Sequence, residues 1–188
     1  MKVIKTTAGK SVMWEVIMSA FEDALLSKNK NETIPDKYDW YAPLIGDWDF
    51  VFSDTNGRHV KGEWIFRRIL EGMAIEDLFI CPSRATKEAN PQPDGEYGVA
   101  IRMYNSERHC YDMTYICSKY TIRLEVNKEQ DKIICTVLED RTSKWVFSEI
   151  TDTTFVWHNV TVMSNGEWRI NSNILAKRKN NFSTQTNI

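Results

Sequence analysis

Between Gly46 and Arg178, segments in which apolar and polar side chains alternate with a period of two follow one another, which is the pattern of half-buried β-strands. The first such segment places Trp48, Phe50 and Phe52 on one face, so this face is predicted to point into a core. The segments with this pattern are predicted to be strands: 46–53, 60–69, 73–80, 96–104, 109–117, 120–126, 132–139, 144–150, 153–162 and 167–178. The chain is therefore predicted to be mainly β.

Short connections with turn-forming residues join these segments. Asn56-Gly57 and Asn165-Gly166 are typical of tight hairpins, which place consecutive strands side by side in antiparallel pairs. The pattern contains no helical crossover between strands, and closure of the sheet removes its exposed edges. The sequence therefore predicts a single antiparallel up-and-down β-barrel of about ten strands, wide enough for an internal cavity.

The last predicted strand carries a basic residue in the phase of its apolar residues. Ile174, Ala176 and Arg178 share one face, so Arg178 is predicted to point inward. A guanidinium over the face of a tryptophan is favourable by about 1 to 2 kcal/mol when partly desolvated. We therefore predict that Arg178 stacks on Trp48 at the closed end of the barrel; the alternative is a solvent-exposed Arg178.

Residues 11–28 are predicted to form an amphipathic helix with Ser11 as its N-cap. Its apolar stripe consists of Met13, Trp14, Ile17, Met18, Phe21 and Leu25. This helix is expected to pack across a barrel mouth or, alternatively, to contact a second subunit in a homodimer. The chain is therefore divided into an N-terminal helix and connector (1–41), a β-barrel domain (42–179) and a flexible tail (180–188).

Charge and composition argue against several classes of function. With 24 basic and 26 acidic residues the net charge is −2, and the basic residues form no extended patch, so nucleic-acid binding is not expected. No apolar run reaches about 18 residues, so no membrane span is predicted. The N-terminus lacks an apolar signal core and the four cysteines form no CxxC pair, so a cytoplasmic protein with reduced thiols is expected.

Several short motifs in a fixed order carry a family resemblance. They are Gly46-Asp47-Trp48, Gly62-Glu63-Trp64-Ile65-Phe66, Glu96-Tyr97-Gly98, Phe155-Val156-Trp157, Asn165-Gly166-Glu167-Trp168 and Ala176-Lys177-Arg178. Over about residues 42–179 the chain resembles a bacterial family of lipocalin-like barrels in the calycin superfamily, which has no established activity. The resemblance implies a barrel that holds a small, largely apolar ligand.

The same superfamily includes nitrobindin-like barrels, which bind haem through a histidine near the C-terminal strands. In this chain His158 is the only candidate for such an iron ligand, and its neighbours do not reproduce a haem motif. No cofactor is therefore expected, and haem binding through His158 is kept as an alternative. No spacing of His and Cys typical of a metal site is present, so no metal is predicted.

Charged residues in the middle of strands are candidates for ligand binding, because a buried charge needs a partner. Arg102 follows Gly98 and Ala100 on one face, which suggests an uncrowded inner surface. Arg102 is expected to pair with Glu63, Glu76 or Asp77, or to bind a ligand carboxylate. The predicted ligand-binding set is Arg102, Tyr104, Glu63, Glu76, Asp77, Tyr115 and Trp157.

The leading hypothesis is a non-catalytic carrier or sensor of a small apolar or amphipathic molecule. No nucleophile elbow or HExxH motif points to catalysis. Three alternatives stay open: an enzyme that uses cavity carboxylates and Arg102, a haem-binding barrel, and a structural or interaction protein whose barrel is filled by its own side chains. The long connection 82–95 is expected to flank the open mouth.

Overall fold

The computed structural model describes residues 20–92 and 94–179. Residues 20–25 are helical and lead into a two-residue strand, β1 (Leu26–Ser27). The sequence predicts a helix that continues to residue 28, whereas the chain is already extended at Leu26. The first part of that predicted helix, 11–19, and the predicted flexible tail, 180–188, lie outside the described residues.

Ten longer strands follow, and their ends lie within a few residues of the predicted ones. They are β2 (Gly46–Asp54), β3 (His59–Ile69), β4 (Ala74–Cys81), β5 (Glu96–Asn105), β6 (Cys110–Cys117), β7 (Thr121–Glu129), β8 (Lys132–Val137), β9 (Ser143–Ser148), β10 (Thr154–Val162) and β11 (Trp168–Arg178). Two short 3-10 turns, Asp36–Tyr38 and Ala42–Leu44, precede them. Within the described residues, no helix has the length and apolar character needed to cross a membrane.

The strands form a closed, antiparallel up-and-down barrel, which confirms the predicted fold. Each strand from β2 to β10 pairs with the next one along the chain, and β11 pairs back with β2. Strand β1 is an addition to this barrel. It pairs with the end of β3 through Leu26 and Ile69, beyond the point where β2 begins.

One end of the barrel is filled by the segment that precedes β2, which we call the plug (residues 38–44). Tyr41 and Leu44 of the plug are fully buried among the inward aromatic rings. Two hydrogen bonds hold it in place: Trp48 Nε1 donates to the carbonyl of Leu44 at 2.8 Å, and the Tyr111 hydroxyl donates to that of Tyr38 at 2.8 Å. This connector, rather than the predicted helix, is what covers that end in the described part of the chain.

Arg178 lies at the same end, where the last strand meets the first. Its guanidinium carbon is 4.2 Å from the centre of the Trp48 ring, and its nitrogens donate to the carbonyls of Ile45 and Pro43 at 2.8 and 2.5 Å. Gly46 makes this approach possible. Its φ of +137° is unfavourable for other residues, and a Cβ there would collide with the Arg178 guanidinium.

Candidate functional site

The other end of the barrel opens into an internal cavity of about 300 Å³. Its walls are mainly aromatic and include Phe52, Trp64, Phe79, Tyr115, Trp145 and Trp157. Neighbouring rings meet edge to face, as between Tyr115 and Trp145, whose centres are 5.2 Å apart. The connection 82–95 reaches this end and contributes Gln92, Asp94 and Gly95 to the lining. The inward aromatic residues thus leave a space that they do not fill.

A buried ion pair forms the inner part of the cavity wall. Arg102 of β5 is 0% exposed and Asp77 of β4 is 1% exposed, and Nη1 of Arg102 donates to the Asp77 carboxylate. Trp64 Nε1 donates to the other carboxylate oxygen at 2.6 Å. The Arg102 guanidinium also lies 4.8 Å from the centre of the Tyr41 ring of the plug. Asp77 is therefore the partner of Arg102 among the three predicted carboxylates.

Burial by itself lowers the pKa of the Arg102 guanidinium, but the charge of Asp77, the hydrogen bond to it and the neighbouring Tyr41 and Cys135 together outweigh this effect, so the pKa is raised overall. Arg102 is thus charged at neutral pH. Since Asp77 already compensates this charge, the cavity wall is electrically neutral at this point.

Three side chains that line the cavity carry a buried N–H group that makes no hydrogen bond within the described residues: Nε of Arg58, Nε of Arg102 and Nε1 of Trp157. Nε of Arg58 still lies 3.3 Å from a carboxylate oxygen of Asp54, which leaves the N–H groups of Arg102 and Trp157 as the two without a partner. A buried donor without an acceptor costs about 1 to 3 kcal/mol, so native proteins leave few of them. Two such donors beside one cavity indicate a place where an acceptor from outside the protein can be received.

Hydrogen bonds to Glu96, the first residue of β5, lie near the mouth of the cavity. Glu96 accepts from the hydroxyls of Tyr115 and Tyr120, the latter at 2.9 Å. Burial, together with this carboxylate, raises the pKa of both tyrosines, so both hydroxyls remain protonated donors. Gly98, two residues after Glu96 on β5, lies against the Tyr115 ring, and a Cβ at Gly98 would overlap the Tyr115 hydroxyl. The missing side chain at Gly98 thus makes room for the Tyr115 ring, so the inner surface is not uncrowded at this position.

An ion pair lies at the mouth next to these contacts. Arg58 of the β2–β3 turn pairs with Asp94 of the connection 82–95. Lys119 of the β6–β7 turn donates to the Asp94 backbone carbonyl at 2.8 Å. Asp94 thus joins three connections around the mouth. None of these residues was predicted, because they lie in turns, where alternation gives no information about direction.

Three residues of the predicted ligand-binding set do not line the cavity. Glu63 and Glu76 lie on the outer face of the barrel, because their neighbours Trp64 and Asp77 point inward. Burial, and to a lesser extent the charge of Asp77, raises the pKa of Glu76. Tyr104 points inward but lies at the plug end, where its ring centre is 5.1 Å from that of Tyr38. The other four members, Arg102, Asp77, Tyr115 and Trp157, all line the cavity.

Glu63 is buried on the outside of the barrel by a separate set of contacts. Its carboxylate accepts hydrogen bonds from the backbone N–H of Arg84 at 2.7 Å and from the Arg84 side chain at 2.8 Å. Lys179, just after β11, donates to it at 2.9 Å. The Arg84 side chain, followed by Lys179, lowers the pKa of Glu63 to about 2. Glu63 thus fastens the start of the connection 82–95 to the barrel.

We expect the free energy of unfolding of Glu63→Gln to fall less than that of the wild type as the pH is lowered. The pKa of Glu63 is about 2 in the folded chain against an ordinary value of 4.5, so the unfolded chain binds more protons between these values. The carboxylate contacts therefore contribute stability above pH 4.5, and this contribution is lost as the pH falls towards 2. Urea unfolding at a series of pH values measures how steeply the free energy of unfolding changes with pH in each protein.

The control for this experiment is Glu139→Gln, the same exchange at an exposed ion pair with Arg123. It should leave the acid slope of the free energy of unfolding almost unchanged. Equal slopes for the wild type and Glu63→Gln would show that the outer carboxylate is not held by these contacts.

His158 lies on the outer face of the barrel, in a groove beside Lys132 and Trp168, and does not line the cavity. Burial lowers its pKa. In the described residues, no three His, Cys, Asp or Glu side chains are grouped so as to hold a metal ion. Cys81 does line the cavity, but burial raises the pKa of its thiol to about 11.

Comparison with known proteins identifies no family. No protein-family model matches the chain, and no curated protein matches it significantly. An S-type phycobiliprotein lyase from Guillardia theta aligns over 76% of this chain and 92% of its own, with 9% identity and a TM-score of 0.47. A redesigned β-barrel aligns over 74% of this chain and 94% of its own, with 13% identity and a TM-score of 0.32. The resemblance to a particular bacterial family of lipocalin-like barrels stays a prediction.

Proposed function

We propose that this protein binds a small amphipathic molecule in the barrel cavity and acts as a non-catalytic carrier or sensor. The observation that carries the proposal is an aromatic cavity of about 300 Å³ with two buried, unpartnered N–H donors on its wall. Ligand sites are typically apolar concavities with a few polar groups that fix the orientation of the ligand. A barrel filled by its own side chains would leave no such space.

The polar groups of the cavity favour binding over catalysis. Asp77 is held by Arg102 and Trp64, and Glu96 accepts from two tyrosines. The Cys81 thiol, with a pKa of about 11, is protonated at neutral pH and so is a poor nucleophile. A general acid or base needs free access to the substrate, and these carboxylates are already engaged in hydrogen bonds within the protein. The outward position of His158 disfavours haem inside the barrel.

We expect the neutral fluorescent probe N-phenyl-1-naphthylamine to bind the wild-type protein at one site. Ser172 lies on the inner face of β11 and lines the cavity, so Ser172→Phe places a ring in the space that the probe needs. Fluorescence titration should show at least a tenfold weaker affinity in Ser172→Phe, because loss of a ring-sized space removes several kcal/mol of apolar burial.

The matched control is Leu175→Phe on the same strand, where the side chain is 57% exposed and points outward. It should bind the probe like the wild type. No saturable binding to the wild type, or equal binding by all three proteins, would refute a ligand cavity. Native mass spectrometry of protein purified from cells then identifies any small molecule that stays bound.

A further inference from the structure

The polar groups around the cavity determine which chemical class of ligand it accepts. Six side chains of the charged types line it, three basic and three acidic: Arg58, Arg102, Lys119, Asp77, Asp94 and Glu96. The contacts described above connect all of them to one another or to neighbouring polar groups. The lining therefore has no net charge, and a ligand carboxylate would be buried there without a counter-charge, which is costly.

The unpartnered groups, by contrast, are both donors. Trp157 is 8% exposed and Arg102 is 0% exposed, and neither Nε1 of the one nor Nε of the other has an acceptor within the described residues. An acceptor atom with a lone pair, from a ligand or from water, satisfies such a group. A carbonyl oxygen or an aromatic ring nitrogen supplies one without adding a charge.

The shape of the walls adds a second restriction. The ring centre of Trp157 lies 5.9 Å from that of Trp145 and 6.0 Å from that of Trp64, and both pairs of rings meet edge to face. Flat walls of this kind complement flat ligands, because aromatic rings gain most from stacked or edge-to-face contact. A volume of about 300 Å³ is at the lower end for ligand sites, which span roughly 300 to 1,000 Å³.

We infer that the ligand is a small, planar, uncharged aromatic compound whose carbonyl oxygen or ring nitrogen accepts a hydrogen bond from Nε1 of Trp157. This inference rests on the proposed function and narrows it. It replaces the expectation that Arg102 binds a ligand carboxylate, because the Asp77 carboxylate already compensates the charge of that guanidinium.

The test compares naphthalene with quinoline, which have the same shape and differ by one ring nitrogen, at about pH 8, where quinoline is uncharged. Binding is followed by quenching of tryptophan fluorescence in the wild type and in Trp157→Phe, which keeps a ring but loses the N–H. We expect quinoline to bind Trp157→Phe roughly threefold to tenfold more weakly than the wild type, the effect of one neutral hydrogen bond. Naphthalene should bind both proteins alike, which also shows that the variant cavity is intact.

Trp168→Phe on the outer face is the control and should change neither affinity, since Trp168 lies outside the cavity. The anion 2-naphthoate should bind the wild type at least tenfold more weakly than quinoline, because its charge has no free partner. An unchanged ratio of quinoline to naphthalene affinity in Trp157→Phe, or 2-naphthoate as the tightest of the three, would overturn the inference. Either result leaves the proposed function intact as long as N-phenyl-1-naphthylamine binds, whereas failure of that probe overturns both.

Discussion

Replacement of Arg102 by methionine is expected to lower the free energy of unfolding by about 3 to 5 kcal/mol, the usual cost of removing one partner of a buried ion pair. Asp77 is 1% exposed and would keep the Trp64 N–H as its hydrogen-bond donor among the described residues. Methionine retains most of the volume of the arginine stem, so little of the loss comes from an empty space. Urea unfolding at neutral pH measures the difference.

Two further variants separate the buried pair from the general effect of losing an arginine. Arg123→Met breaks an exposed ion pair with Glu139 and should cost no more than about 1 kcal/mol. The double variant Arg102→Met with Asp77→Leu leaves no stranded charge and should be more stable than Arg102→Met alone. If Arg102→Met proved no more harmful than Arg123→Met, the Arg102 guanidinium would have to be solvated in the folded protein.

The barrel could be predicted from the sequence because its strands are encoded locally. Alternation of apolar and polar residues is visible in one strand at a time, and short turns fix which strands are neighbours. The same alternation sets Arg102 in phase with Gly98 and Ala100, and Trp157 in phase with Phe155. In the structure Arg102 and Trp157 both line the cavity.

The partner of Arg102 could not be chosen in this way. Glu76 and Asp77 are adjacent, so one of them must face inward, but the sequence pattern left both as candidates. The pairing of β4 with β5 decides between them, since it sets Ile75 opposite Arg102 and so brings Asp77, two residues along on the same face, beside the guanidinium. Glu63 was a candidate because a charge in the middle of a strand was expected to face the cavity. It is instead buried on the outer face by Arg84, a loop residue that is distant in sequence.

The plug was also missed, because its burial has no periodic signal. Residues 38–44 follow a polar, turn-rich connector, and their 3-10 turn is too short to show an apolar stripe. Yet Tyr41 is completely buried against Arg102, and it shares a contact of 3.7 Å with the Cys135 thiol. Burial, and then the neighbouring Cys135, raises the pKa of Tyr41 well above its usual value, so it stays neutral beneath the cavity. The position of the cavity floor therefore depends on a segment outside the regular pattern.

Replacement of Arg178 by methionine should be the second most damaging of these changes, with an expected loss of about 2 to 4 kcal/mol in the free energy of unfolding. The guanidinium donates to the carbonyls of Pro43, Ile45 and Asp152, which belong to the plug, to the residue before β2 and to the β9–β10 connection. It also stacks on Trp48. Its removal therefore loosens the contacts that join both ends of the closed sheet to the plug.

Lys177→Met is the matched control, because Lys177 lies next to Arg178 on the outer, exposed side of β11. It should change the free energy of unfolding by less than about 0.5 kcal/mol, as surface substitutions usually do.

Arg178→Lys tests whether the positive charge alone supplies the stabilisation. A lysine ammonium is a point charge without the planar fork that reaches three carbonyls while stacking on a ring, so we expect it to restore less than half of the loss. If Arg178→Lys were as stable as the wild type, the geometry of the guanidinium would not be needed for the stabilisation. If Arg178→Met were as stable as Lys177→Met, the contacts of Arg178 would not stabilise the closed barrel.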